Sequence, residues 1–173
     1  MAREPEILRL GPGAGVPNNP RMPLLVYRRV LSEDEPAGGD LAAGFERLFA
    51  ANGWTGAWRD GIYDYHHFHC DAHEVLGIAR GRALVRFGGE DGVDARVEAG
   101  DVVVVPAGVG HKRLEASPDL LVVGAYPGGR DPDMHRPDPV ALDRLAAAAA
   151  SVPVPDADPV QGPDGALVRL WGG

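Results

Sequence analysis

Four of the chain's six histidines lie within eight residues, in the segment YHHFHCDAHEV. A neutral imidazole is one of the commonest ligands for transition metals in proteins. His67 and His69 are two positions apart, so on a β-strand, where side chains alternate between the two faces, both rings project from the same face. The spacing therefore predicts that this pair supplies half of a metal site.

Two further ligands are predicted from the flanking sequence. Glu74 follows five residues after His69 and reaches the next strand after a tight turn, where it can add a carboxylate oxygen. His111 follows the hydrophobic run VVVV and a turn rich in proline and glycine, and it begins another strand. Three imidazoles and one carboxylate suit Fe(II), Mn(II), Ni(II), Zn(II) or Cu(II), and the ligand types alone do not choose among these ions.

Other side chains near this cluster are assigned different roles. His66 has the strand parity opposite to that of the predicted ligands and should point away from them. His73 lies beside Glu74, so a shift of the turn would let it replace one ligand, and it stays an alternative. Cys70 is expected to be a small buried apolar residue. His135, in a proline-rich segment, is expected to be solvated.

Short segments rich in valine and other β-forming residues dominate the middle of the chain, and glycine, proline or aspartate separates them. This pattern favours a β-sandwich or barrel. The runs at residues 102–105 and 120–123 lack polar alternation, so both faces of those strands should be buried. Strands are predicted at residues 6–10, 24–30, 65–70, 74–80, 82–87, 93–98, 101–105, 111–116 and 120–126.

Two helices are predicted outside this region. The first covers residues 40–52, with Asp40 as its N-cap, an apolar face at helical spacing and Asn52-Gly53 as its end. The second covers residues 139–150, with a proline at its first position. Loops are predicted at residues 32–39 and 54–58, and a final strand or anchor to the barrel wall at residues 167–171.

The composition limits the classes of function. The chain has 173 residues and a net charge of −8, with no large basic cluster, which disfavours nucleic acid and membranes as partners and favours a small-molecule ligand. No signal-like or membrane-spanning run is present, so a cytoplasmic protein is expected. A single cysteine excludes an internal disulfide. At this length, one domain covering residues 1–173 is expected.

Two segments of the chain resemble the paired motifs of the cupin superfamily. The first motif, G-x5-H-x-H-x4-E-x6-G, is matched by Gly61, His67, His69, Glu74 and Gly81. The second, G-x5-P-x-G-x2-H-x3-N, has Glu115 where the family has asparagine and is otherwise matched by Gly100, Pro106, Gly108 and His111. Flanking phrases such as NNPRMPLLVYR and HEVLGIARG look like one family of single-domain bacterial cupins, the YjlB-like proteins.

The resemblance implies a double-stranded β-helix, an all-β jelly-roll barrel with one or two peripheral helices. It places the metal motifs at residues 61–81 and 100–115, an arm and helix at residues 1–60 and an extension at residues 127–173. Similar cupins include dioxygenases, decarboxylases, isomerases and lyases of small oxygen-rich compounds. We therefore expect an enzyme that uses one divalent transition metal and acts on a carboxylate-like compound. The alternative is a non-enzymatic cupin that binds or senses a small ligand.

Candidate substrate contacts follow from strand parity. Arg113 shares the parity of His111 and should face the barrel lumen, where its guanidinium can bind a carboxylate in bidentate fashion. Glu115 continues that parity and should either act as an acid or base or neutralise Arg113. Tyr65 should line the mouth of the pocket. A homodimer is also expected, because residues 24–26 and 102–105 are more apolar than a lone barrel needs and because similar cupins pair.

Overall fold

The computed structural model describes residues 3–34 and 39–173, and these contain nine strands and three helices. The strands are β1 (Glu6–Leu10), β2 (Asn19–Tyr27), β3 (Trp54–Asp60), β4 (Glu74–Arg80), β5 (Arg82–Phe87), β6 (Val93–Glu98), β7 (Val102–Val105), β8 (His111–Ala116) and β9 (Leu121–Pro127). The helices are α1 (Leu41–Ala51), α2 (Leu142–Ala150) and α3 (Ala166–Gly172).

The strands form two antiparallel sheets whose inner faces pack together. The larger sheet has the order β1-β2-β7-β4-β9-β3, and the smaller has the order β6-β5-β8. Leu76 and Val103 of the larger sheet share one buried apolar cluster with Val85 and Phe87 of the smaller sheet. This arrangement confirms the predicted all-β double-stranded β-helix with peripheral helices.

Helices α1 and α3 cover the outer face of the larger sheet. Phe45 of α1 is fully buried against β4, and Gly77 leaves the space for it, since a Cβ there would lie 2.7 Å from the Phe45 ring. Trp171 of α3 packs into the same cluster. The carboxylate of Asp40 accepts hydrogen bonds from two amides of the first turn of α1, so the predicted helix and its cap are confirmed.

The same helices cover the strands on which the homodimer expectation was based. Leu25 of β2 and Val102 and Val104 of β7 belong to the apolar cluster that α1 and α3 complete within the chain. All four residues of β7 are buried, as predicted. Contacts within one chain therefore explain why these strands are apolar. The homodimer stays a prediction, but strand apolarity no longer supports it.

Residues 54–60 form strand β3, although a loop was predicted at residues 54–58. Gly56 and a bulge between Thr55 and Trp58 interrupt the alternation by which a strand is recognised in a sequence. β3 pairs with β9 at the edge of the larger sheet. Trp58, at the end of this bulge, lines the cavity described in the next subsection.

Residues 65–70 were predicted as a regular strand, and this prediction is wrong. The segment is extended but makes only isolated bridges, between His67 and His111 on one side and between Phe68 and His135 on the other. Its backbone therefore joins β8 to the proline-rich segment that follows β9. This places the histidine segment at one end of the barrel, with its side chains still alternating.

The remaining differences lie at the ends of elements and near the C-terminus. Residues 167–171 belong to helix α3, so the strand alternative is wrong: the buried Leu167 and Trp171 are four residues apart and share one helical face. The helix fits the other alternative, an anchor to the barrel wall, since both residues pack into the cluster over the larger sheet. Helix α2 begins at Leu142, three residues later than predicted. Residues 35–38 of the predicted loop at 32–39 lie outside the described residues. In the described part of the chain, no helix is long and apolar enough to cross a membrane.

Candidate metal centre

The four predicted ligands meet where three chain segments come together at one end of the barrel. Glu74 is the first residue of β4 and His111 the first residue of β8. His67 lies opposite His111, and the two residues exchange backbone hydrogen bonds of 2.9 and 3.2 Å. His69 follows two residues later on the same face of the segment. The motif spacing therefore brings residues from separate parts of the sequence to one point.

The side chains converge closely enough to bind a single ion. Ligand nitrogens of His67, His69 and His111 all lie within 4.8 Å of one another. The Oε2 atom of Glu74 lies 3.2 Å from Nε2 of His69 and 3.3 Å from Nε2 of His111. His67, Glu74 and His111 are each at least 96 % buried, with exposures of 4 %, 3 % and 2 %.

Backbone carbonyls fix the tautomer of all three histidines. Each Nδ1 atom lies within hydrogen-bond distance of a carbonyl oxygen, which can only accept a proton, so each Nδ1 atom must donate. A neutral ring then carries an unprotonated Nε2 atom, which is the form that binds a metal. The carbonyl partners of His67, His69 and His111 are Tyr65 at 3.1 Å, Asp133 at 2.5 Å and Val109 at 3.2 Å.

The carboxylate of Glu74 leaves one oxygen without a donor. Its Oε1 atom accepts a hydrogen bond from the Tyr126 hydroxyl at 3.3 Å. Its Oε2 atom is buried and has no hydrogen-bond partner within residues 3–34 and 39–173. Such an unpaired buried group costs about 1–3 kcal/mol. A divalent cation between Oε2 and the three Nε2 atoms would satisfy all four lone pairs, so these residues fit a metal ion.

The pKa shifts of the cluster also indicate that a cation would be stabilised there. Burial, together with the neighbouring His111, lowers the pKa of His67 to about 3, so this ring is neutral. Burial alone would lower the pKa of His69, but the Glu74 carboxylate raises it above its ordinary value. Burial alone would raise the pKa of Glu74, but contacts with His111 and His69 hold it well below its usual range. The carboxylate is therefore ionised and favours a cation beside it.

A tryptophan and a tyrosine that were not predicted orient this carboxylate. Trp58 Nε1 donates to the Tyr126 hydroxyl at 2.8 Å, and that hydroxyl donates to Glu74. The Trp58 indole packs over Gly124 on the paired strand, where a Cβ would lie 2.1 Å from the ring. Burial and the nearby Glu74 charge raise the pKa of Tyr126, so the phenol stays protonated. The hydrophobic sequence of β9 gave no sign that its tyrosine would be functional.

The segment after β9 forms part of the centre. The Asp133 carbonyl accepts a hydrogen bond from His69 Nδ1, while the Asp133 carboxylate accepts hydrogen bonds from the amides of Cys70 and Asp71. His135 was expected to be solvated, but it is half-buried and its Nε2 atom lies 2.8 Å from the Asp133 carboxylate. Burial raises the pKa of Cys70 to about 12, which is consistent with the small buried group that was predicted.

A cavity of about 770 Å³ opens onto the four ligands. Arg113 lines it, as parity suggested, and its guanidinium lies 3.9 Å from the carboxylate of Asp64. Exposed apolar side chains at the mouth are Tyr63 and Met134. Tyr65, predicted at the mouth, instead lies beneath the guanidinium of Arg136, 3.9 Å from its ring centroid, and contributes its carbonyl to His67.

Glu115 does not face the cavity, contrary to the parity argument. β8 pairs with β5 through a bulge, so that Arg113 lies opposite Val85 while Glu115 lies opposite Leu84. The extra residue reverses the alternation, and Glu115 projects from the solvent face of the smaller sheet. It lines a different cavity, at the other end of the barrel.

His73 is excluded as an alternative ligand by its own hydrogen bonds. Its Nδ1 atom accepts from the Ala107 amide at 2.9 Å, and its Nε2 atom donates to the Pro153 carbonyl at 3.0 Å. Both ring nitrogens are therefore occupied, and the imidazole packs against Trp171. His66 points away from the centre, as predicted, and its Nε2 atom lies 2.9 Å from the carboxylate of Glu90.

Comparison with known proteins agrees with the motif match. The Cupin family profile matches residues 63–124. The uncharacterised protein YjlB of Bacillus subtilis (strain 168) is 37% identical over 171 residues, covering 99% of this chain and 99% of that protein.

Solved structures align less completely. The acireductone dioxygenase from Bacillus anthracis, with a cadmium ion in its active centre, aligns with 60% of this chain and 78% of its own at 17% identity and a TM-score of 0.42. Procruciferin, an 11S globulin of Brassica napus, aligns with 46% of this chain at 17% identity and a TM-score of 0.37, and this chain spans only 21% of that length. On the family profile and the full-length relative, the chain belongs to the cupins, in the group of YjlB-like proteins.

Proposed function

We propose that this cupin is a metal-dependent enzyme acting on a small, oxygen-rich carboxylate. One observation carries the proposal: the buried Oε2 atom of Glu74 lacks a hydrogen-bond partner in the described structure, lies within 3.3 Å of Nε2 of His69 and His111, and is beside an open cavity. The Nε2 atoms of His67, His69 and His111 and the Oε2 atom of Glu74 would hold the ion. Iron, manganese, nickel, zinc and copper all suit these ligands.

The chemistry that such an ion supplies is polarisation of a substrate oxygen or, for a redox-active metal, the binding of dioxygen. The chain's own residues provide the setting for it. The imidazoles are held by backbone carbonyls, so their orientation does not change when substrate binds. The Trp58 ring and the buried Leu76 side chain line part of the cavity wall and keep water from it, which strengthens electrostatic contacts with the substrate.

Arg113 and Tyr126 are the groups that we assign to the substrate. Arg113 lines the cavity two residues after a ligand, and its loose 3.9 Å contact with Asp64 leaves donors for a substrate carboxylate. Tyr126 presents a protonated hydroxyl at the same wall, next to Glu74. Because this hydroxyl donates its one proton to Glu74, it would donate to a bound compound only after turning away from that carboxylate.

A second candidate function is binding or sensing of a small ligand without turnover. Three titratable residues singled out from the sequence favour this alternative, because none of their side chains faces the cavity. Glu115 lies on the solvent face, His73 has both nitrogens bonded and the Tyr65 ring is covered by Arg136. Tyr126 is thus the residue that separates the two functions.

Metal analysis of the protein purified anaerobically tests the metal centre. We expect about one divalent ion per chain, as in open three- or four-ligand sites, and none in the His67→Ala variant. His66→Ala is the matched control, because the neighbouring ring points away and should leave the metal content unchanged. Equal metal content in both variants would refute the centre.

Turnover and ligand binding then separate the two functions. Mass spectrometry of co-purified compounds identifies a candidate substrate, and calorimetry measures its affinity. In an enzyme, Tyr126→Phe should lower turnover of that compound more than its binding, whereas a binding protein should show no turnover before or after the change. Arg113→Ala should weaken carboxylate binding by about tenfold or more while leaving the metal content intact.

A further inference from the structure

A second cavity, of about 820 Å³, lies at the end of the barrel opposite the metal centre. Its walls include the start of β5 and the end of β8, whereas the metal ligands lie at the start of β8 and near the end of β5. β4, which runs from Glu74 to Arg80, spans about 20 Å at roughly 3.3 Å per residue and separates the two ends. The two cavities are therefore distinct.

The second cavity concentrates positive charge on a protein whose net charge is −8. Five of the chain's 17 basic residues line it, and three acidic residues accompany them. Its apolar lining residues include Leu84 and Val97. The lining arginines are Arg3, Arg28, Arg29, Arg82 and Arg96.

A buried aspartate makes one wall of this cavity rigid. Asp101 is 1% exposed, and its carboxylate accepts hydrogen bonds from the Arg28 guanidinium at 2.8 Å, the Arg29 amide at 3.1 Å and the Glu98 amide at 3.1 Å. Arg29 has a φ of 52°, in the left-handed region, which a non-glycine residue adopts only when its surroundings hold it there. Arg28 also forms an ion pair with Glu6, so carboxylates of the protein already neutralise its charge.

Other arginines that line the cavity lack such ion pairs in the described structure. On the β5–β6 ladder, Arg86 lies opposite Asp94 and forms a bidentate ion pair of 2.7 and 3.1 Å. Arg82 lies opposite Glu98 on the same face of the same ladder, yet these two side chains form no ion pair. Within the described residues, Arg29, Arg82 and Arg96 have no carboxylate partner. Their guanidinium donors are available to a ligand.

The strand register places two of these arginines close enough for one small molecule to contact both. Arg96 lies opposite Leu84, two positions from Arg82 on the same face, so the pair is diagonal across neighbouring strands. Positions of this kind are about 7–8 Å apart, which long side chains bridge easily. One small molecule with two acidic groups can therefore contact both guanidiniums while its body lies over Leu84.

From these observations we infer that the cavity is a second binding site, for a small organic molecule that carries two or more negative charges. A singly charged anion would engage only one of the two guanidiniums, whereas a molecule with two acidic groups engages both, and this attraction outweighs its repulsion from Glu98 and Glu115 at the wall. A dicarboxylate and a phosphate monoester share the required chemistry. The site is independent of the metal centre and of the proposed reaction.

Calorimetric titration of the intact protein with succinate and with glycerol phosphate tests the site. We expect at least one of them to bind, with an affinity that falls as salt concentration rises. Arg82→Gln and Arg96→Gln should each weaken that binding by about tenfold, as expected for loss of a charge-assisted hydrogen bond. The tighter of the two compounds tells whether the site prefers carboxylate or phosphate.

A control variant makes the result specific. Arg86→Gln removes an arginine on the same strand face that is already paired with Asp94 and lies outside the cavity. It should leave the affinity unchanged within about twofold. If neither compound binds at about 10 mM, or if the wild type and the Arg82→Gln and Arg96→Gln variants bind with equal affinity, the inference is overturned.

Discussion

Two of the buried carboxylates, those of Asp158 and Glu74, have opposite surroundings. Asp158 is fully buried near the C-terminus, and both of its oxygens are satisfied: Oδ1 accepts from the amides of Val160 and Gln161, and Oδ2 from the Tyr27 hydroxyl and the Leu167 amide. Glu74 is 3% exposed, yet its Oε2 atom has no donor in the described part of the chain.

Two kinds of buried histidine show the same contrast. His73 has both ring nitrogens in hydrogen bonds and packs against Trp171. His111 has only Nδ1 in a hydrogen bond, and its Nε2 atom faces Glu74. A folded protein satisfies nearly all of its buried polar atoms. Polar atoms that are buried, converging and unpaired therefore distinguish the centre from a structural cluster of the same residue types.

The largest expected effect is on stability at Asp158. Asp158→Ala should lower the free energy of unfolding of the metal-free protein by about 3–5 kcal/mol, because a hydroxyl and three amides lose their acceptor. Glu74→Gln should change it by about 1 kcal/mol or less, because the new amide can donate to an imidazole nitrogen. Urea unfolding measures both. A similar loss of unfolding free energy in the two variants would contradict the comparison. Asp156→Ala changes an exposed aspartate two residues from Asp158 and controls for effects of a substitution in that loop.

For metal affinity the order should be reversed: substitution of Glu74 should have a large effect and substitution of Asp158 almost none. Glu74→Gln replaces an ionised ligand with a neutral amide, so its metal affinity should fall by more than the roughly 10–100-fold typical of changes to outer-shell partners. Asp158→Asn should leave the affinity of the folded protein unchanged within about twofold. Competition with a fluorescent chelator measures both constants. An equal loss in both variants would mean that Asp158 is coupled to the centre.

Tyr126 should have an intermediate effect, because it orients Glu74 without contacting the metal. Tyr126→Phe should lower metal affinity by about tenfold or somewhat more, as for other outer-shell hydrogen bonds. Tyr63→Phe is the matched control, since Tyr63 lines the same cavity without a hydrogen bond to the carboxylate. If the two variants bind metal equally well, the hydroxyl of Tyr126 does not position Glu74.

The smallest expected effect on metal binding is at one of two glycines that each admit an aromatic ring. Gly124→Ala would place a Cβ 2.1 Å from Trp58, and Gly77→Ala would place one 2.7 Å from Phe45. Both should destabilise the protein by about 1–3 kcal/mol through overpacking. Only Gly124→Ala should also weaken metal binding, by less than about tenfold, because Trp58 holds Tyr126. Thermal unfolding and chelator competition, measured on both variants, check this difference.

The sequence by itself determined the all-β fold and the positions of the four candidate ligands. Alternating and continuous apolar runs identified most of the strands, because side-chain periodicity is a local property of the chain. The spacing of His67, His69, Glu74 and His111 was sufficient for the motif match, and the structure brings these four side chains together. The helix at residues 40–52 was also predictable from its cap and its apolar face.

The tertiary structure alone decided which neighbouring side chains serve the centre. Parity predicts a facing direction only while the ladder is unbroken, so the bulge in β8 moved Glu115 to the solvent face. His73 is held by the Pro153 carbonyl, 80 residues away, and His69 by the Asp133 carbonyl, 64 residues away. Such contacts depend on how distant segments pack, and no pattern within a short window of sequence encodes them.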